Sequence, residues 1–396
     1  MTETQMEDIM APNTVFLSPS GQQTTSGDGP ATRIQVGTLE GVATLERAEP
    51  GAPWALTRRS LDDRHIAALV YEEGSNRLFA AAHTDGGLWV SEDGEGNSWR
   101  QLTDGLDRPH MYTMAARRRG DDVTLFLGTR PAALYRSDDL GESWSEIESI
   151  FDVADTDKWT FPPPPHIAHV KQIVFHPTEP DTIHVLIEQG AFLKSTDDGR
   201  NWTDIVAYSH PDDASYRDLH RLTIKPDNPD QLVVVTGVGI YRTNDGGVTF
   251  ERKTRRGESM GYPDFAFLDP DDDRVIYAGG SKLNPRSWYD TGKAYSSVQR
   301  SDDDGDSWTM LMNGLPDPMV GAIEGMAQHV WPGGMMLVAG TATGEVFATE
   351  DRGQSWQLLT DRAMPVSKED HHLPFISEEV RIAELAKRGE RPRPEN

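Results

Sequence analysis

The sequence predicts an all-β protein, a seven-bladed β-propeller with a short C-terminal helix. Three observations carry that expectation. A Ser/Thr-x-Asp-x-Gly-x-x-Trp/Phe pattern recurs along the 396 residues, and its acidic positions (49, 93, 139, 197, 245, 303 and 351) fall 44 to 58 residues apart. That interval is the length of one four-stranded blade. Short apolar runs separated by Gly-containing links precede the copies, as in Val233-Val-Val-Thr-Gly237 then Ile240-Tyr241, and read as strands. The chain also holds 36 Gly and 26 Pro, more than a helical protein tolerates.

Taken in order, residues 1–30 are polar and rich in Ser, Gly and Thr, and are expected to form a flexible arm. Residues 31–375 are expected to form the propeller. Five copies of the pattern are regular: Ser137 to Trp144, Ser195 to Trp202, Thr243 to Phe250, Ser301 to Trp308 and Thr349 to Trp356. Ser91 to Trp99 carries one extra residue, and Glu49 to Trp54 is a degenerate first copy. The first blade has no obvious innermost strand nearby. Its closure is expected from residues 363–375, with Asn13 to Leu17 as the rival. Residues 376–389 have helical spacing behind a possible Ser377 cap, and a Pro-rich tail follows, so 376–396 is read as helix and tail.

The repeated pattern resembles the Asp-box (BNR) repeat of the sialidase-like β-propellers, over about residues 32–360. The resemblance implies a β-turn between the two outer strands of each blade. There the Asp accepts hydrogen bonds from turn amides, the Gly takes a positive φ and the Trp packs between blades. The box residues are therefore read as structural, and function has to be sought at a separate site. The resemblance also brings glycoside hydrolysis to mind. The Arg-Ile-Pro of sialidases is replaced here by Arg33-Ile34-Gln35, and no clear arginine triad is present.

Chemistry is expected where the innermost strands begin, beside the central axis. His65, His110, His169 and His220 open four consecutive blades, 28, 29, 28 and 25 residues before their own acidic positions. Four His at six comparable positions, in a chain with 12 His, suggest a transition-metal site. The residues do not distinguish Fe, Zn, Cu and Mn. Tyr262 opens the sixth blade, and Asp264 and Glu324 lie two residues past the corresponding positions. These carboxylates could complete a coordination sphere, orient His from behind, or form the pair that glycosidic cleavage needs. Lys171, Tyr262, Asp264 and Glu324 are the candidate catalytic groups. Long loops on the same rim, and the ends of second strands, supply candidate substrate contacts: His83, Tyr112, Arg130, His166, Glu188, Trp288, His371 and His372. The rigid Pro162 to Pro165 run, His210 and Tyr216 also lie in these loops.

Composition narrows the function classes. With 38 Lys and Arg against 64 Asp and Glu, the formal charge of -26 repels nucleic acid. No apolar run approaches the roughly 18 residues of a membrane span. The absence of Cys removes disulfides and thiolate chemistry, and no signal peptide is visible, so a cytoplasmic protein is expected. Three readings remain: a metal-dependent enzyme acting on a small organic substrate at the channel mouth, a glycoside hydrolase using Asp264 and Glu324, and a non-catalytic scaffold.

Overall fold

The computed structural model describes residues 13–161, 166–206, 217–255 and 257–387. Seven sheets form the ring, each starting from an innermost strand. Blade 1 contains Thr14–Leu17, Arg33–Thr38, Gly41–Glu46 and Ala55–Ser60. The innermost strands of blades 2 to 7 are Ile66–Glu72, Met111–Arg119, Val170–Phe175, Leu219–Ile224, Tyr262–Leu268 and Ile323–Trp331. Alternation along these strands places one face of each blade against the next. One apolar cluster joins Phe79, Leu88 and Leu102 of blade 2 to Met114, Leu125 and Trp144 of blade 3. Another joins Phe265 and Tyr277 of blade 6 to Met326, Leu337 and Trp356 of blade 7.

The repeated turn has the local geometry its residues dictate. Asp139 Oδ1 accepts from Ser143 N at 2.9 Å and from Ser137 Oγ at 2.7 Å. Gly141 takes φ +88°, and the Trp144 indole donates to its carbonyl at 3.0 Å. The Asp303 turn repeats this arrangement, with Ser307 N 2.8 Å from Asp303 Oδ1 and Gly305 at φ +90°.

Closure departs from the expectation. The innermost strand of blade 1 is Thr14–Leu17, the rival candidate, running parallel to Arg33–Thr38 in the register Thr14↔Arg33 to Leu17↔Val36. Residues 24–26 then add a parallel fifth strand to blade 7, pairing Thr24↔Gln328 to Ser26↔Val330. The part of the expected arm from residue 13 onward is thus built into the ring. Between the two strands the chain crosses the channel. Ser20 N donates to Ala67 O at 2.8 Å and Gln22 N to Leu69 O at 2.9 Å, while Thr113 Oγ1 donates to Ser20 O at 2.7 Å. Residues 363–375 form no strand. They run across the opposite mouth of the channel as a strap and end in a short 3-10 turn, Leu373–Phe375.

Two α-helices complete the described residues. Pro285–Thr291 lies in the blade 6 insertion, capped by Asn284. Glu378–Lys387 follows Ser377, whose Oγ accepts from Val380 N at 3.4 Å. No helix among the described residues is long and apolar enough to cross a membrane.

Candidate functional site

Each innermost strand of blades 2 to 7 carries a β-bulge near its start, after the first ladder pair in five of them and after the second, Pro263↔Gly280, in blade 6. The bulged residues are Ala67, Tyr112, Lys171, His220, Asp264 and Glu324. A bulge re-aims its extra residue out of the ladder alternation, so these six form one ring of equivalent positions. The ring two residues earlier is His65, His110, His169, Asp218, Tyr262 and Ala322. Its backbone confirms the equivalence. His83 N donates to His65 O (2.8 Å), Arg130 N to His110 O (3.0 Å), Glu188 N to His169 O (3.2 Å) and Gly237 N to Asp218 O (2.8 Å).

This register corrects the four-His reading. His65, His110 and His169 are equivalent, but their counterpart in blade 5 is Asp218, and His220 belongs to the bulge ring. The 25-residue offset of His220, against 28 or 29 for the others, was the trace of that shift. The four imidazoles also engage different partners. His65 Nε2 donates to Ser367 O at 2.8 Å. His110 Nε2 lies 3.1 Å from His83 Nδ1, His169 Nε2 2.9 Å from Glu188 Oε2, and His220 Nδ1 donates to Pro263 O at 2.7 Å. Among the described residues, the group of three metal-competent side chains with ligand atoms within 4.8 Å of one another is Glu188, Asp218 and His220. Glu188 Oε2 already accepts the Lys171 ammonium. A cation of the chain itself thus neutralises that carboxylate, and the set is a poor cradle for a metal ion.

What the residues build instead is a buried ionic network along the axis. Lys368, from the strap, donates its ammonium to Asp264 Oδ1 and its backbone N–H to Glu324 Oε2, the latter at 3.0 Å. His371 Nδ1 lies between both oxygens of Glu324. Arg130 pairs with Glu369, also of the strap. His220 Nδ1 is 3.4 Å from Asp264 Oδ1, and its Nε2 is 3.6 Å from Asp218 Oδ1. Tyr112 stacks on His169 with ring centroids 3.7 Å apart, and Tyr262 meets His220 edge-on at 4.8 Å.

Burial and neighbours set the charge states. Burial raises the Asp264 carboxyl, but Lys368, His220 and Lys171 outweigh it and hold the group well below the usual carboxylate range. Burial likewise raises Glu324, and His371 and Lys368 bring it below its ordinary value. His371 and His220 move the other way. Burial opposes their charge, yet Glu324 raises His371, and Asp264 with Asp218 raises His220. His83 and His110 stay neutral, chiefly through burial, with His110 pushed down to about 3. Burial also lowers Lys171 and raises the Tyr112 and Tyr262 phenols, so both phenols keep their protons.

The remaining candidates divide. His83 sits among His65, His110 and Tyr112, with ring centroids at 4.7, 5.2 and 4.9 Å. Trp288 is fully buried and packs with Ala294, Ala322 and Ala342 beneath His371, which makes it a wall of the site without reach to a guest. His372 is buried too, between Ser367 and Glu384. His166 lies out on the surface, donating to Phe161 O at 2.9 Å. Pro162 to Pro165, His210 and Tyr216 fall outside the described residues. Lys368 and Glu369 were missed as site residues. Only the density of ionisable side chains from Lys368 to His372 could have pointed to them. Two shallow surface pockets lie away from the axis, one beside Asp107, Tyr135 and Glu146 and one beside Arg33, Glu46 and Arg47.

No family model matches the chain. A xyloglucanase of Acetivibrio thermocellus is 25% identical over 147 residues, which are 32% of this chain and 17% of that protein. The chain therefore aligns with a small part of that curated relative. Among solved structures, an ancestral GH74 enzyme superposes with TM-score 0.55 at 15% identity, covering 74% of this chain and 38% of that one. A putative 6-phosphogluconolactonase from Bacteroides uniformis gives TM-score 0.52 at 12% identity, covering 87% and 97%. At these identities the likenesses establish one thing, that the chain is a seven-bladed β-propeller.

Proposed function

We propose that the protein is a glycoside hydrolase that works at the strap-covered mouth of the central channel, with Asp264 and Glu324 as its carboxylate pair. The carrying observation is that both carboxylates hold a single residue, Lys368, one through its ammonium and the other through its backbone N–H. Two carboxyl groups facing one guest is the arrangement that cleavage of a glycosidic bond requires. The xyloglucanase likeness, partial as it is, supports the same class of reaction.

The electrostatics support a division of roles. The groups that lower Glu324 are His371 and Lys368, both on the strap. With the strap lifted and a substrate filling the mouth, burial and the neighbouring Asp264 remain and push Glu324 upward, as a general acid needs. Asp264 keeps His220 and Lys171 beside it and stays ionised, as a nucleophile or base needs. Lys171 and Tyr262 then act on the pair from behind: Lys171 as a fixed positive charge, Tyr262 as a neutral wall against His220. A panel of aryl glycosides and xyloglucan oligosaccharides tests the reading. Turnover by the native protein that disappears in Asp264→Asn supports it. Turnover unchanged in both Asp264→Asn and Glu324→Gln removes it.

A second reading, a non-catalytic scaffold, is favoured by the filling of the axis with residues 19–27 on one side and the strap on the other. It requires no turnover on any substrate, and an intact ring after Glu324→Gln.

A further inference from the structure

The strap is apolar at its ends and ionic in its middle. Ala363 and Val366 are fully buried in the cluster that holds Leu17, Val36 and Val338, and Val366 N donates to Thr341 O at 2.9 Å. At the far end Leu373 is buried, and Phe375 packs against Trp288 with ring centroids 5.6 Å apart. Between these anchors residues 367–372 arch over the mouth, held by His65, Arg130, Asp264 and Glu324. Apolar anchors resist displacement in water, whereas each ionic contact of the arch can be exchanged for another ligand of like charge.

Lys368 is buried under the arch. Its side chain is 3% exposed, as is that of Asp264. Its ammonium also lies 5.2 Å from the centre of the Phe265 ring. A buried carboxylate beside an aromatic face is the composition of an ammonium site, because the charge and the ring quadrupole both favour a cation.

We propose that Lys368 occupies, from within the chain, a subsite for a primary ammonium group, and that the molecule which displaces the strap carries such a group. Taken with the hydrolase reading, on which this last step rests, the substrate is a glycoside of an amino sugar. Its ammonium replaces that of Lys368 at Asp264, and its glycosidic oxygen reaches Glu324.

The test is chemical rescue followed by exchange. Lys368→Ala, measured by thermal unfolding, is expected to lose several degrees of stability because the buried Asp264 carboxylate loses the ammonium that hydrogen-bonds it. Added n-butylammonium restores most of the loss, while 1-butanol does not, and neither shifts the native protein. Should Lys368→Ala not fold, Lys368→Met keeps the stem, and its yield of folded protein with and without n-butylammonium gives the same readout. In the native protein, a glucosamine trimer speeds amide exchange of residues 367–372 about 3-fold or more, as expected for a segment opening locally, and the N-acetylated trimer leaves it unchanged. No rescue by n-butylammonium, or equal exchange with both trimers, overturns the ammonium subsite. Rescue without any glycoside turnover keeps the subsite and discards the hydrolase. Turnover of neutral glycosides without rescue does the reverse.

Discussion

His371 Nδ1 lies 3.0 Å from one carboxylate oxygen of Glu324 and 3.1 Å from the other, joining the strap to the bulged residue of the seventh blade. Glu324 is fully buried, whereas the His371 side chain keeps 21% of its surface exposed. A proton can therefore reach the imidazole without the ring opening, and the contact should respond to pH.

The direction follows from the two shifts. Burial disfavours charge on His371, but Glu324 raises its pKa, with Lys368 lowering and Asp264 raising it further away. A raised His contributes stability that is complete below its ordinary pKa of about 6.5 and is lost as pH climbs through the raised value. Glu324 is held below its ordinary value, so its contribution is present above about pH 4.3 and is lost on acidification. Protection of the amides of residues 367–372, corrected for intrinsic exchange, should be greatest between these limits. His371→Gln should abolish the alkaline decline and weaken the acid one, because His371 is foremost among the groups that lower Glu324. A flat profile from acid to alkaline pH in the native protein would refute the coupling.

The two carboxylates should differ in their dependence on the leaving group. A general acid matters little when the departing phenol is already acidic. Glu324→Gln should therefore slow glycosides of poor leaving groups by about 100-fold or more while sparing dinitrophenyl glycosides. Asp264→Asn should slow both classes alike. Steady-state kcat on a leaving-group series checks the assignment, and the opposite ordering would exchange the roles.

A single glycine tunes His220. A Cβ at Gly237 would overlap Asp218 Oδ2, so Gly237→Ala is expected to push that carboxylate away from the imidazole 3.6 Å distant. Asp264 and Asp218 are the groups that raise His220 against burial. Its NMR-measured pKa should fall in the variant while the dispersion of other signals stays native. A His220 titration that does not move would show that Asp218 contributes nothing.

Leu17 tests the closure of the ring. It is fully buried and packs with Val338, Ala327 and Val366, and removing three carbons from such a site costs about 2–5 kcal/mol. Denaturant unfolding of Leu17→Ala should show that loss. A change under about 0.5 kcal/mol would mean the innermost strand of blade 1 contributes little to stability.

Much of this was legible before any coordinates. The 44- to 58-residue repeat marked the blades because turn chemistry recurs wherever the same turn recurs. The axial positions of His65, His110, His169 and Glu324 followed from counting back from each turn. His220 was placed in the wrong ring because the sequence offers a His two residues past the equivalent position: Asp218, the counterpart of His65, His110 and His169, stands 27 residues before Asp245. Closure by Thr14–Leu17 stood only as the rival to residues 363–375, because a single short parallel strand has no local signature to rank it first. Lys368 was unreadable for a related reason. It lies in a segment without periodicity, and its meaning comes only from Asp264, 104 positions away.

The seating of Thr24–Ser26 against Gln328–Val330 has a bearing on how the chain is made. Thr25 meets His329, 304 positions later, so on the ribosome this strand must wait for the intervening residues to emerge. Until then Thr24–Ser26 has no seventh blade to pair with, and its main-chain amides are free to pair elsewhere. Truncated products of this gene, or nascent chains stalled before residue 328, would be the species that chaperones have to hold.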